Sequence, residues 1–341
     1  MDDVADLLAR AGAGDDDAFG ALCEPYRREL LVHCYRMLGS PEDAEDALQE
    51  TLVAAWQGLA DFEQRASVRT WLYRIATRRC LNALRAARRR PAKAWDVPGV
   101  DPPEPTRHGE AVWLRPLPDA LLAGAPGEPP GPEARYERRE STSLAFVTAL
   151  QLLPPRQLAV LVLRDVVGYP AREVAAITGT TVGSVTSALR HARATLRRRA
   201  HLHDPPPAPR SAAEAAVVDR FVRAYESADL EALVTLLTDD VVAAMPPMPF
   251  EYVGREAVAA LFEAIFRAGR RFDLVGTRAN GQPAFAAYLR APGGGGRPAT
   301  GLIVLGLTAE RVGAVTRFDA DVLPAFGLPP GLPHAPSAPA P

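Results

Sequence analysis

The sequence predicts two all-helical blocks, the second a helix-turn-helix, followed by an α+β block whose curved sheet folds over helices. Three observations predict this. Stretches dense in proline and glycine break the 341-residue chain at 91–135 and 203–210. Before 91 the sequence is rich in Ala, Leu, Arg and Glu, and glycine is confined to ends and turns. After 211 helical periodicity gives way to short extended runs separated by turn signals. The expected organisation is therefore a block at 1–90, a linker at 91–135, a block at 136–202, a proline-rich joint at 203–210, a block at 211–328 and a disordered tail at 329–341. At roughly 150 residues per domain, this length accommodates two to three such blocks.

In the first block, Ser40-Pro41-Glu42-Asp43 reads as a helix start, with Ser40 as N-cap and Pro41 in the first turn. Ala44, Leu48, Leu52, Ala55, Trp56 and Leu59 recur at intervals of three and four, which makes a core stripe. Asp43, Asp46, Glu50, Val53 and Gln57 line another face. The next helix, about 68–90, sets Trp71, Leu72, Ile75, Leu81 and Leu84 against Arg69, Arg74, Arg78, Arg79 and Arg85. Arginines interleaved with aromatics suit single-stranded nucleic acid, since bases stack on rings while guanidinium groups neutralise phosphates.

Charge separates by region although the net charge is only −2. Residues 38–63 hold seven acids and no base, 64–93 ten bases and no acid, and 182–200 five arginines and no acid. Such asymmetry points to nucleic acid. Hydrophobic residues make up 48% and charged residues 23% of the chain, which excludes wholesale disorder. No apolar run approaches the ~18 residues of a membrane span, and the acidic start MDDVADLL is not a signal peptide. Cys23, Cys34 and Cys80 have no disulfide-framework or metal spacing. A reducing cytoplasm, with no metal, no cofactor and no membrane partner, is the expectation.

In the second block, AREVAAITGTTVGSVTSALR at 171–190 reads as a short helix, a turn at Gly179 and a second helix from about Val182. Ala175 offers the small side chain that crossing helices need, and Val174 and Val185 can pack between them. The second helix would enter a major groove. In the third block, helices at about 212–227, 229–237 and 256–267 surround extended segments at 241–245, 272–277, 283–289, 300–307 and 312–318. Asn280-Gly281 signals a hairpin, and the glycines at 293–296 a hairpin tip. A curved sheet of this kind encloses an apolar pocket that could hold a small molecule.

DAEDALQETLVAAW, FEQRASVRTWLYRIATRRCLNALR and LPPRQLAVLVLRDVVGYPAREVAAITGTTVGSVTSALRHARATL resemble regions two and four of sigma-70 family factors, nearest the extracytoplasmic-function group. The third block resembles a SnoaL-like domain of cone fold. VWLRPLPDALL at 112–122 is similar to a linker motif of the subgroup that carries this extension. The resemblance implies a promoter-specificity subunit that binds core RNA polymerase and promoter DNA and is not an enzyme. It implies polymerase docking by Asp43, Asp46, Gln49 and Glu50. For the −10 element it implies Phe62, Arg65, Arg69, Trp71, Arg74, Arg78, Arg79 and Asn82. For the −35 element it implies Thr181, Ser184, Thr186, Ser187, Arg190, His191 and Arg193. The family usually has bases near Thr186 and at Ala188; this chain lacks both and keeps Arg190 and Arg193.

Alternatives stay open at this point. A helix-turn-helix regulator could act without polymerase. The SnoaL-like block could be an isomerase or hydrolase, with Asp240, Glu251, Tyr252, Asp319 and Asp321 as candidate acids and bases. As a built-in regulator it could take a small-molecule ligand, and a separate anti-sigma factor could also act on the chain.

Overall fold

The computed structural model describes residues 4–64, 66–87, 93–95, 97–109, 113–122, 142–199, 205–290 and 296–333. The chain forms two compact units, Met1–Arg90 with Ala120–Ala200, and Pro91–Asp119 with His201–Pro341.

The first unit is helical throughout. Helices α1 (Val4–Gly12), α2 (Asp16–Leu38), α3 (Pro41–Gln57) and α4 (Val68–Ala87) form its first bundle. Local chemistry sets the boundaries. The Asp15 carboxylate accepts the Ala18 N–H, and Gly39, at φ 77°, ends α2 by donating its N–H to the Tyr35 carbonyl. One residue later the Ser40 hydroxyl accepts the Asp43 N–H at 3.1 Å and donates to Glu42, so α3 starts where Ser40-Pro41 places it. Ala44, Leu48, Ala55 and Leu59 of the predicted stripe are buried, whereas Leu52 and Trp56 are half-buried, Trp56 edge-on to Phe19. On α4 the buried set is Val68, Trp71, Leu72, Tyr73, Ala76, Thr77 and Cys80, while Ile75, Leu81 and Leu84 are only half-buried. All three cysteines are buried free thiols.

The second bundle holds α6 (Leu144–Gln151), preceded in the chain by the single turn α5 (Asp119–Leu122), and α7 (Pro155–Leu161), which runs into a π-helical turn at Val162–Val166. Then come α8 (Ala171–Thr178) and α9 (Val182–Arg199). Gly179 takes the left-handed conformation, φ 65°, that lets its N–H cap α8 on the Ala175 carbonyl. Val174, Ala175 and Val185 are buried between α8 and α9, as the spacing requires.

The second unit is α+β. Helices α10 (Ala212–Ser227), α11 (Leu230–Leu236) and α12 (Arg255–Arg267) lie against a curved sheet. Its strands are β1 (Arg107–His108), β2 (Leu237–Ala244), β3 (Phe250–Val253), β4 (Phe272–Ala279), β5 (Gln282–Leu289), β6 (Arg297–Thr308) and β7 (Arg311–Phe318). The order is β1-β3-β2-β7-β6-β5-β4; β2 and β7 pair parallel, the other neighbours antiparallel. Asn280 and Gly281, at φ 57° and 75°, make the tight β4–β5 turn. Phe285, Ala287, Ile303, Leu305 and Val315 line the face covered by Phe221, Leu233, Val258 and Phe262. The glycines at 293–295 lie outside the described residues.

Two stretches gain structure that their proline content concealed. Part of the linker is a strap on the second unit. Its β1 pairs with β3, Val100 and Leu114 are buried, and Leu117 is 0% exposed. Proline bars the chain from helices and inner strands but not from an extended path along a sheet edge. The tail expected from 329 contributes β8 (Gly331–Leu332), paired with β6; residues 334–341 lie outside the described residues.

No helix among the described residues is long and apolar enough to cross a membrane, and no group of His, Cys, Asp and Glu there could hold a metal ion.

Candidate nucleic-acid interface and apolar cavity

On α3, Asp46, Gln49 and Glu50 are exposed on one face beside Val53, an exposed large apolar side chain, with Asp43 half-buried at the helix start. Helical spacing collects these residues because 46, 49, 50 and 53 fall within two turns on one side. Glu50 pairs with Arg79 of α4 at 3.7 Å; both groups are solvated, so the pair holds little energy and is easily exchanged. An acidic ridge with one apolar residue is a surface for a basic partner, not for DNA.

The basic face of α4 divides in two. Arg74, Arg78 and Asn82 are exposed and stand four residues apart, a column about 12 Å long. Arg74 and Arg78 meet no carboxylate among the described residues. Arg69 is placed differently. Its guanidinium makes paired hydrogen bonds to the Glu29 carboxylate at 2.9 Å and lies over the rings of Tyr73 and Tyr169, 4.9 and 5.2 Å from their centroids. Burial works against its charge, yet the Glu29 hydrogen bonds outweigh it and hold the guanidinium firmly protonated. Thr70 bonds Glu173 of α8 at 3.4 Å. The start of α4 is thus packed under the helix-turn-helix bundle. Trp71 is only 5% exposed and stacks on Phe62 at 4.7 Å between centroids. Trp71 thus belongs to the interior, while Phe62 is half-buried over it. Arg65 lies outside the described residues.

Thr181 just before α9, and Ser184, Thr186, Ser187, Arg190, His191 and Arg193 along it, are all exposed. Thr181 caps the helix by accepting the Ser184 N–H at 3.2 Å, and the Thr186 hydroxyl turns back to the Val182 carbonyl. Arg193 is held in a fork by Asp165 at 2.7 and 2.8 Å, and those bonds raise its pKa. Arg190 is without a carboxylate partner among the described residues.

Sequence reasoning did not find Glu29, Tyr169 or Asp165. Each acts across 28 to 100 residues of chain, and no spacing or charge run marks them; tertiary packing brings them to their arginines, within a bundle for Glu29 and Asp165 and between the two for Tyr169.

The second unit encloses a cavity lined by Trp95, Val97, Tyr225, Ile303, Arg270 and Arg317, among others. Trp95 and Val97 come from the strap. The sequence's candidate acids and bases do not converge there. Asp240 is exposed, Glu251 pairs with Arg107, and the Tyr252 hydroxyl donates to the Pro103 carbonyl at 3.0 Å. Asp319 pairs with Lys93 and Arg317, and Asp321 with Arg115. Glu251, Asp319 and Asp321 serve as anchors for arginine or lysine, chiefly those of the strap.

Sequence comparison places these units. Residues 22–90 match Sigma-70 region 2, residues 143–196 match Sigma-70 region 4, and residues 218–318 match the SnoaL-like domain. With both regions in one helical unit, the chain is a sigma-70 family protein. The ECF RNA polymerase sigma factor SigG of Mycobacterium tuberculosis (strain H37Rv) is 42% identical over 340 residues, 97% of this chain and 90% of SigG. SigM of the same strain is 31% identical over 194 residues, 57% of this chain and 83% of SigM. The crystal structure of the Mycobacterium tuberculosis extracytoplasmic function sigma factor SigJ shares the fold, with a TM-score of 0.59 over 89% of this chain and 97% of that one at 21% identity. The chain belongs to the ECF RNA polymerase sigma factors and carries a C-terminal SnoaL-like domain. Proteins of this family bind core RNA polymerase and promoter DNA, and their main role is not catalysis.

Proposed function

We propose that this sigma factor docks on polymerase through the α3 ridge, engages the −10 strand with the α4 column, reads the −35 element with α9, and is regulated by its own SnoaL-like domain through the strap. The observation that carries the assignment is the separation of exposed charge: acids on α3, cations on α4 and α9, with no acid mixed into either basic face. Polymerase supplies the chemistry, and this chain supplies sequence choice and strand opening. Its place of work is then the cytoplasm.

Asp43, Asp46, Gln49 and Glu50 are the docking residues. Arg74, Arg78 and Asn82 face DNA directly. Arg69, Trp71 and Phe62 join the −10 contact only once the packing over the start of α4 opens, because Glu29 and Tyr169 hold Arg69 in the closed unit. Ser184, Ser187, Arg190 and His191 meet the −35 element, and Arg193 does so on leaving Asp165.

Regulation follows from connectivity. The only covalent path between the two sigma regions runs through residues 91–141, and 93–119 of that path belong to the SnoaL-like unit. A held strap shortens the reach available for regions two and four to separate on a promoter. On this reading the SnoaL-like domain acts on the sigma regions as a regulator. Promoter-dependent transcription by the full chain with the strap loosened tests this: Leu117→Ser together with Arg115→Ala should change transcript yield, and a yield equal to wild type would contradict it.

A further inference from the structure

We propose that the cone of the SnoaL-like domain binds a small organic acid with an aromatic or apolar body, which takes the place of Trp95 and delivers its carboxylate to Arg270 and Arg317. Three observations lead there. First, the Trp95 indole packs against the apolar core of the domain, beside Phe250, and the cavity left beneath it is about 30 Å³, room for one water molecule. The Trp95 ring is part of the wall of that cavity, so moving it enlarges the space. Second, Trp95 is bonded to its own loop, Nε1 donating to the Val100 carbonyl at 2.9 Å. Among the described residues the ring makes no hydrogen bond to the cone itself; apolar contact seats it, and polar bonds at Lys93 and Pro98 on either side tie its segment down.

Third, the charge around the plug is unbalanced. Arg317 reaches Asp319 at 3.3 Å and the Thr300 carbonyl at 2.7 Å, and Lys93 takes the other oxygen of the same carboxylate at 2.6 Å. Arg270 donates to the Pro98 carbonyl of the strap at 2.9 Å and meets no carboxylate among the described residues. Among the described residues, Arg317 and Lys93 thus meet on Asp319 while Arg270 has only a carbonyl. Burial, and then the Arg317 charge, lower the Arg270 pKa, which marks a guanidinium short of negative charge. A carboxylate at the end of an apolar body supplies both missing parts, whereas a neutral apolar ligand leaves Arg270 uncompensated when Pro98 withdraws. The Arg270–Pro98 bond and the Trp95 plug sit on one strap segment, so the ligand displaces both together. If the strap regulates as proposed above, the acid releases it; the binding site itself does not depend on that reading.

The probes are indole-3-acetate, which carries the ring of Trp95 and an acid, and indole-3-acetamide, its neutral counterpart. Titration calorimetry on the full chain compares wild type, Trp95→Ala, and Trp95→Ala with Arg270→Gln. An intramolecular plug competes at roughly millimolar effective concentration. Trp95→Ala should bind the acid at least about tenfold more tightly than wild type, and at least about tenfold more tightly than it binds the amide. Adding Arg270→Gln should bring the acid to the level of the amide. Equal affinity of Trp95→Ala for acid and amide, or no gain over wild type, would overturn the proposal. A second measurement needs no variant: saturating indole-3-acetate should speed trypsin cleavage after Lys93 of the wild-type chain severalfold, and the amide should not. Cleavage at an unchanged rate would overturn it as well.

Discussion

Asn280 and Leu117 exchange two hydrogen bonds: the Leu117 N–H donates to the Asn280 side-chain oxygen, and the Asn280 N–H donates to the Leu117 carbonyl, each at 2.8 Å. This reciprocal pair fastens the strap to the β4–β5 turn 163 residues away. Asn280 is buried and sits at φ 57°, a conformation that Asn and Gly adopt readily. Asn280→Gly keeps the turn and removes the acceptor, so the Leu117 N–H is left unsatisfied, at a cost of ~1–3 kcal/mol. Hydrogen exchange at 113–119 should accelerate by one to two orders of magnitude. Unaltered protection would mean that the strap is held elsewhere.

His33 gives the first unit a pH dependence. The ring is fully buried, its Nε2 lies 3.0 Å from the Thr77 hydroxyl, its edge meets Tyr73, and its Nδ1 has no partner. Burial, then the charges of Arg36 and Arg69, lower its pKa to about 3. The unfolded chain takes up a proton near pH 6.5. The folded unit does not, so its contribution to stability is complete above pH ~6.5 and is lost as pH falls toward 3, at up to ~1.4 kcal/mol per pH unit. Between pH 6.5 and 5, before most carboxylates titrate, amide protection in α2 and α4, taken relative to the intrinsic exchange rate at each pH, should fall in wild type and stay nearly level in His33→Gln. Parallel pH profiles in the two proteins would contradict this.

Asp46→Arg with Glu50→Arg should weaken binding to core polymerase by about two orders of magnitude, ~1.4 kcal/mol for each factor of ten. Neither side chain touches the core, so thermal unfolding should shift little. An affinity within about twofold of wild type would remove the α3 ridge from the interface.

Arg78→Ala should lower the salt dependence of binding to single-stranded −10 DNA by about 0.7 in slope, the mark of one phosphate contact. Arg79→Ala should lower it less, because Arg79 is already shared with Glu50. Equal slopes for Arg78→Ala and wild type would make the α4 column an ordinary solvated face.

What the sequence disclosed follows from how far each interaction reaches. Ser40-Pro41, Gly179 and Asn280-Gly281 act on their neighbours, so the helix starts and turns they dictate could be read directly. The acid-free run at 64–93 and the acidic one before it showed which helix faces carry charge, and the long matching strings carried the family. The engagement of Arg69 by Glu29 and Tyr169 could not be read, because an exposed arginine and a forked one look alike in one dimension. Trp71, on the arginine-rich helix, read as an aromatic for stacking bases, and the resemblance added Phe62; in the fold the two rings stack on each other. The strap was hidden for a different reason: proline-rich sequence signals only what the chain cannot be, and its buried anchors Val100, Leu114 and Leu117 are too few to make a periodic pattern.

The central claim is most directly tested by run-off transcription with core polymerase, the purified chain and a library of promoters varied at −35 and −10. The account predicts transcripts from a defined subset sharing both elements, lost when Asp46 and Glu50 are reversed to arginine and retained in His33→Gln. Sequence-specific DNA binding without polymerase, together with no transcript from any member of the library, would contradict it.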